Sequence, residues 1–252
     1  MKFTNRSLDR IAKHHTKVLV FDCEFWHIHG SEGYAPAHRL PNQYVIPREI
    51  GGLYFEKEDE WVYKGSFFVT LEPPRGTDVS VVSAEYATVT ERTASKLRAL
   101  ESKLTVPWNH AFKATLSPEE QSIRTESLAI YRADPAIKKA HVPPGWYLKF
   151  MHAYANSMVI MKGSADLDAL QNASKLYGFK YKHPERFDIG FWNPESRRIC
   201  GTAKLSETYE CIVPKLSAET KKLADELPSG KIHSPIADSV QTFIIALYIK
   251  QT

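Results

Sequence analysis

The stretch KVLVFDCEFW, residues 17–26, constrains the fold of this chain more than any other. Four apolar residues, Val18 to Phe21, make a run that suits a short buried strand over 17–21. The run ends on Asp22-Cys23-Glu24. Residues two apart in an extended chain point the same way, so Asp22 and Glu24 share a face. Like charges held together repel, and a nearby cation relieves the repulsion. A second segment, MVIMKGSADLDAL (158–170), runs strand, glycine turn, then a helix whose first turn carries Asp166 and Asp168. Strands alternating with helices predict an α/β layered domain, in which ligands bind outside the C-terminal ends of strands.

The rest of the chain fills in that frame. Residues 50–55 and 61–71 read as two strands joined by the acidic turn EKEDE. EPPRGTD (72–78) is a loop by its Pro and Gly content. From about 91 to 156 the pattern turns helical, with Ser117-Pro118-Glu119-Glu120 as a capping box. VPPGW (142–146) breaks that region, and a further helix follows to about Tyr154. Residues 157–161 form a buried strand, and a helix from Gly163-Ser164 closes at Gly178. FDIGFW (187–192) reads as another short strand. In SPIADSVQTFIIALYIK (234–250), Ile236, Val240, Phe243, Ile244 and Leu247 recur at helical spacing. An antiparallel start followed by strands with crossover helices gives a mixed sheet. Residues 1–252 read as one domain, with approximately 91–145 as a helical insertion.

Bulk properties narrow the class. A hydrophobic share of 43% and a charged share of 25% fit an ordinary globular protein with a sizeable core. No apolar run approaches the length of a membrane span, and the N-terminal residues lack the apolar stretch of a secretory signal. Cys23, Cys200 and Cys211 form no C-x-x-C pairing. They read as reduced thiols rather than a zinc site, which predicts a soluble intracellular protein without separating cytoplasm from nucleus. The net charge of +4 is compatible with a polyanionic partner. Its clusters at 2–17, 138–139, 180–186 and 197–198 read by themselves as solvated faces.

Helix geometry sorts the acids. In the helix after Gly163, Leu167, Leu170, Ser174 and Tyr177 define the packed side. Asp166 lies within roughly 50° of that side's centre and looks back over the sheet edge, whereas Asp168 faces solvent. First-turn carboxylates are also favoured by the helix dipole without any further purpose. Asp238 enters the last helix about 160° from its apolar stripe. His233 sits just before that helix, with Pro235 at an early helical position.

D-x-E on the first strand, an Asp at a later strand-to-helix junction and H-x4-D near the C-terminus together resemble the DEDDh group of 3′–5′ exonucleases. That group includes ribonuclease T and the proofreading exonucleases of DNA polymerases. FDCEF and HSPIAD match its first and last motifs. The middle motif departs from the pattern, with Gly163 and Ala165-Asp166 where relatives often carry Asn and Phe-Asp. The resemblance implies a ribonuclease H-like mixed central sheet flanked by helices. It also implies two divalent cations, Mg²⁺ or Mn²⁺, which suit carboxylate oxygens. On that footing Asp22 touches both metals, Glu24 holds one and helps place a water, Asp166 supports the second and Asp238 the first. His233 is the general base, an imidazole being able to take a proton near neutral pH.

The same resemblance sets Phe25 and Trp26 beside a 3′-terminal nucleotide, with Phe25 expected in the core and Trp26 as the stacking contact. His27 and His29 lack a third ligand at sensible spacing and read as surface residues. Asp188 is expected near another strand end, in a supporting or structural role. The implied partner is a nucleic acid with a free 3′ end, expected to be single-stranded, with DNA and RNA undistinguished. The 91–145 insertion has three open roles: gripping the strand upstream, binding a protein partner, or covering the sheet. Oligomeric state is open as well, a homodimer included. Two other functions stay open: an inactive nucleic-acid-binding module on the same fold, and a phosphohydrolase acting on small nucleotides.

Overall fold

A computed structural model describes the chain apart from residues 31–32, 35, 38–39, 82–87, 109–114, 230–232 and 252. Part of the expected helical insertion, 109–114, therefore lies outside the described residues. The N-terminal half contains β1 (Lys2–Phe3), α1 (Arg6–Ala12), β2 (Lys17–His29), β3 (Pro36–Ala37), β4 (Leu40–Lys57), β5 (Trp61–Thr70) and β6 (Val79–Val81). Among the described residues there follow the helices α2 (Glu91–Glu101), α3 (Pro118–Ala133), α4 (Pro135–Ala140) and α5 (Pro144–Ala155). Next come β7 (Met158–Met161), α6 (Ala165–Leu176) and β8 (Arg186–Asp188). The chain closes with α7 (Asn193–Cys200), α8 (Leu205–Ile212), α9 (Ala218–Glu226) and α10 (Pro235–Gln251).

The strands form one mixed sheet in the order β1-β5-β4-β2-β7-β8, with β3 on β4 and β6 on β2. β2, β4 and β5 are antiparallel, whereas β7 runs parallel to β2 and β8 parallel to β7. This is the mixed sheet flanked by helices that the alternation of strand and helix predicts. Alternation along β2 then sets the two faces. Val18 and Val20 join Leu53, Phe55, Phe243 and Leu247 beneath α10. Leu19, Phe21 and Cys23 join Phe150, Tyr154 and Leu170 beneath α5 and α6. The capping box is present as read: Ser117 Oγ accepts from Glu120 N–H, and the Glu120 carboxylate accepts from Ser117 N–H.

Three expectations need correction. β2 does not stop at residue 21 but continues to His29, because β4 accompanies it along its whole length. FDIGFW is not one strand: pairing with β7 ends at Asp188, whose carboxylate caps Gly190 N–H and turns Ile189–Trp192 into a 3-10 helix. The cysteines are not all reduced thiols. Cys200 and Cys211 form a disulfide between α7 and α8, and only Cys23 is free and buried. The two short helices pack together after the left-handed turn at Gly201, a juxtaposition that spacing alone does not encode. The disulfide removes the ground on which an intracellular location was expected. Among the described residues, no helix is long and apolar enough to cross a membrane.

Candidate active site

β2 pairs with β7 only from Val18 to Val20. Asp22 and Glu24 lie just beyond, half-buried, where β2 has left its parallel neighbour and still runs beside β4. They stay on the face that carries Val18 and Val20, which is the α10 face.

The partner of Asp22 across the ladder is Gly51. A Cβ at Gly51 would stand 2.7 Å from Pro235 Cβ and 2.9 Å from the Ile236 nitrogen. The first turn of α10 thus rests directly on bare β4 backbone, an approach that only glycine allows. Ser239, fully buried, fixes the contact, with its Oγ 3.0 Å from Gly51 O and 2.7 Å from Pro235 O. The turn is closed by Ala237 N–H donating to Ser234 Oγ at 3.3 Å and Asp238 N–H donating to Ser234 O at 2.9 Å. This packing delivers Asp238 to Asp22. His233 precedes the helix, exposed, in the left-handed region at φ 63°.

Asp166 arrives from the opposite layer. Its Oδ1 accepts the Cys23 N–H at 3.1 Å, and only 5% of the residue is exposed. The turn before it depends on Gly163, whose φ of 83° suits glycine. Asp188 Oδ1 accepts from Gly163 N–H at 2.8 Å and from Gly190 N–H at 2.7 Å. Asp188 therefore holds the loops at the ends of β7 and β8 together, the structural role expected for it. Asp168 is half-buried rather than fully solvated, and its charge acts on Tyr181.

The electrostatics of the group are dominated by repulsion at Asp22. Loss of solvent pushes the Asp22 carboxyl well above the usual range, and the charges of Asp166, Asp238 and Glu24 push it further. Burial also raises Asp166, to about 7, against the opposing pull of the Cys23 amide. Among the described residues, two cations stand nearby. Lys162 feels the charge of Asp238 while its Nζ donates to Ala203 O at 2.6 Å. Arg48 Nη2 lies 4.0 Å from Glu24 Oε2. Four mutually repelling carboxylates form a donor set that fits hard divalent cations, whose charge would reverse the repulsion.

The five chemically expected residues thus come from three regions: β2, the start of α6 and the approach to α10. Trp26 does not behave as expected. It is fully buried, donates its indole N–H to Leu71 O at 2.7 Å, and meets the Tyr131 ring edge-on at 5.7 Å. The reason is α3, whose Tyr131 packs against Trp26 and helps enclose it. Phe25, half-buried against Val45 and Ala169, takes the expected core side. His27 is not a surface residue. It pairs with Val45 on β4, lies 3.3 Å from Gln43 Oε1 through Nδ1, and is held neutral by burial, which lowers it to about 4.

Sequence reasoning passed over Gly51-Gly52, Ser239 and Arg48. Two adjacent glycines inside a strand pattern were the available signal, since they mark close backbone approach. Ser239 and Arg48 gave none, because Gly51, which Ser239 holds, and Glu24, which Arg48 approaches, lie on other elements. The chain matches no family model, and it has no match among curated proteins.

Proposed function

We propose that this chain is a metal-dependent 3′–5′ exonuclease of the DEDDh type on a ribonuclease H-like sheet. The observation that carries the reading is the convergence of Asp22, Glu24, Asp166 and Asp238, with Asp22 under the charge of the other three. The strand order adds support, since a ribonuclease H-like sheet is expected to join an antiparallel trio to strands parallel with its first member. The four acids would hold two Mg²⁺ or Mn²⁺ ions, which when bound supply charge neutralisation at a phosphodiester and ease deprotonation of water. Glu24 orients the attacking water. His233, exposed ahead of α10, receives its proton, and the loop lets the imidazole approach substrate without bending the helix. Gly51 and Ser239 are positioning residues, keeping Asp238 and His233 over Asp22. Trp26 is a core residue and takes no part in binding the nucleic acid.

The test uses 5′-labelled single-stranded DNA and RNA of equal sequence, in Mg²⁺, in Mn²⁺ and in EDTA. The reading predicts a metal-dependent ladder shortening from the 3′ end, absent with Asp22→Asn. Two outcomes would overturn it: binding of either strand without cleavage, or hydrolysis of mononucleoside triphosphates alone.

A further inference from the structure

The opposite end of the parallel strands carries a second constellation. His14 and His15 lie in the turn between α1 and β2, and Glu185 lies just before β8. These segments are 170 residues apart in sequence, yet His15 Nε2 stands 3.1 Å from Glu185 Oε2. His14 Nε2 stands 3.5 Å from the same oxygen. All three candidate ligand atoms fall within 4.8 Å of one another. The two imidazoles are stacked, with centroids 4.5 Å apart and planes at 29°, so both present their Nε2 edges to Glu185.

We propose that His14, His15 and Glu185 form a second cation site, selective for Zn²⁺ over Mg²⁺ or Mn²⁺, that ties the α1–β2 turn to the entry of β8. Zn²⁺ binds imidazole nitrogen and carboxylate oxygen at about 2.0–2.2 Å, so neighbouring ligands around it stand about 3–3.5 Å apart. The two contacts to Glu185 already have that spacing. Two imidazoles with one carboxylate favour borderline metals, whereas all-oxygen sites favour Mg²⁺ and Mn²⁺. The site and the carboxylate group thus divide metals by ligand chemistry.

Both sides of the site are anchored by backbone. His15 N–H donates to Ala12 O at 2.9 Å, Lys57 N–H donates to Thr16 O at 2.7 Å, and Val159 N–H donates to Glu185 O at 2.9 Å. Lys13 Nζ holds the other carboxylate oxygen, Oε1, at 2.7 Å, leaving Oε2 turned to the imidazoles. The His14 side chain is 74% exposed, so water has access to complete the coordination. About six residues of extended chain, roughly 20 Å, separate His15 from Asp22, so the two sites are distinct. The inference is independent of the nuclease reading.

The experiment takes full-length, tag-free protein stripped with chelator and titrates Zn²⁺ against a chromophoric chelator in excess Mg²⁺. One equivalent of Zn²⁺ is expected to bind and to raise Tm. His14→Ala and Glu185→Gln should each weaken binding at least about tenfold and lose the Tm rise, since even outer-shell changes weaken metal sites by that much. Asp22→Asn should bind Zn²⁺ like the wild type. His14 is mostly exposed, so its truncation leaves the fold intact. The proposal is overturned if wild type takes no Zn²⁺ from the chelator, if His14→Ala and Glu185→Gln bind it unchanged, or if Asp22→Asn abolishes binding.

Discussion

Two acids lie within two residues of each other's ladder partners and have opposite surroundings. Glu49, fully buried on β4, accepts hydrogen bonds from Tyr131 Oη and from Thr88 Oγ1, the latter at 2.8 Å, with Arg48 Nε 3.4 Å away. Asp22 sits among Asp166, Asp238 and Glu24. The protein compensates the first acid itself, through Tyr131 of α3 and the extra β4 residue Arg48, which opens the ladder between Glu24 and Phe25. In the second group Asp22 faces three other acids, with Arg48 near Glu24 and Lys162 facing Asp238. A buried charge is tolerated when met by donors and a cation, as at Glu49, whereas carboxylates gathered against one another are the arrangement a bound cation would favour.

Exchanging charge for amide at each acid separates the two roles most sharply. Glu49→Gln should destabilise the fold by about 3–5 kcal/mol in urea unfolding, because a fully buried ion pair with Arg48 and a charged acceptor for Tyr131 and Thr88 are lost. Asp22→Asn should do the reverse. It removes a repelled charge, so metal-free Tm should rise while turnover falls by about 10³-fold or more. Equal destabilisation by both would erase the distinction.

A smaller effect, about 10²-fold on turnover, is expected for His233→Ala, with metal-induced stabilisation retained. Wild-type turnover in that variant would remove His233 from the mechanism. Gly51→Ala should cost about 1–3 kcal/mol, since the new methyl meets Pro235 and the Ile236 nitrogen. It should also lower turnover at temperatures where the variant stays folded, because Asp238 and His233 ride on the displaced turn.

The smallest effect concerns pH. The folded-state values of Asp22 and Asp166 are raised above those of an unfolded carboxylate. The native state then binds more protons than the unfolded state, and the metal-free protein loses stability as pH rises from about 4 through about 7. Added Mg²⁺ should restore it, so the Mg²⁺-induced rise in Tm should be larger at pH 8 than at pH 5. Scanning calorimetry at the two values would check this, and Asp22→Asn should flatten the difference.

Much of this site was legible from periodicity. The shared face of Asp22 and Glu24, the inward turn of Asp166 and the outward placement of Asp238 each follow from a strand or helix repeat. The rest depended on contacts between distant segments. Trp26 looks like a surface aromatic until α3, a hundred residues later, covers it. Gly51-Gly52 announces a close approach but not that α10 makes it. Cys200 and Cys211 carry no pairing signal until two short helices lie together. Lys13 to His15 read as one more basic cluster, because the carboxylate that organises the two imidazoles sits at Glu185.

Direct Mn²⁺ binding followed by electron paramagnetic resonance tests most plainly whether the four acids are held together for divalent cations. Wild-type protein is expected to bind Mn²⁺, excess Mg²⁺ to displace it, and Asp22→Asn to lose it while Glu185→Gln keeps it. Mn²⁺ binding unchanged by Asp22→Asn would contradict the account.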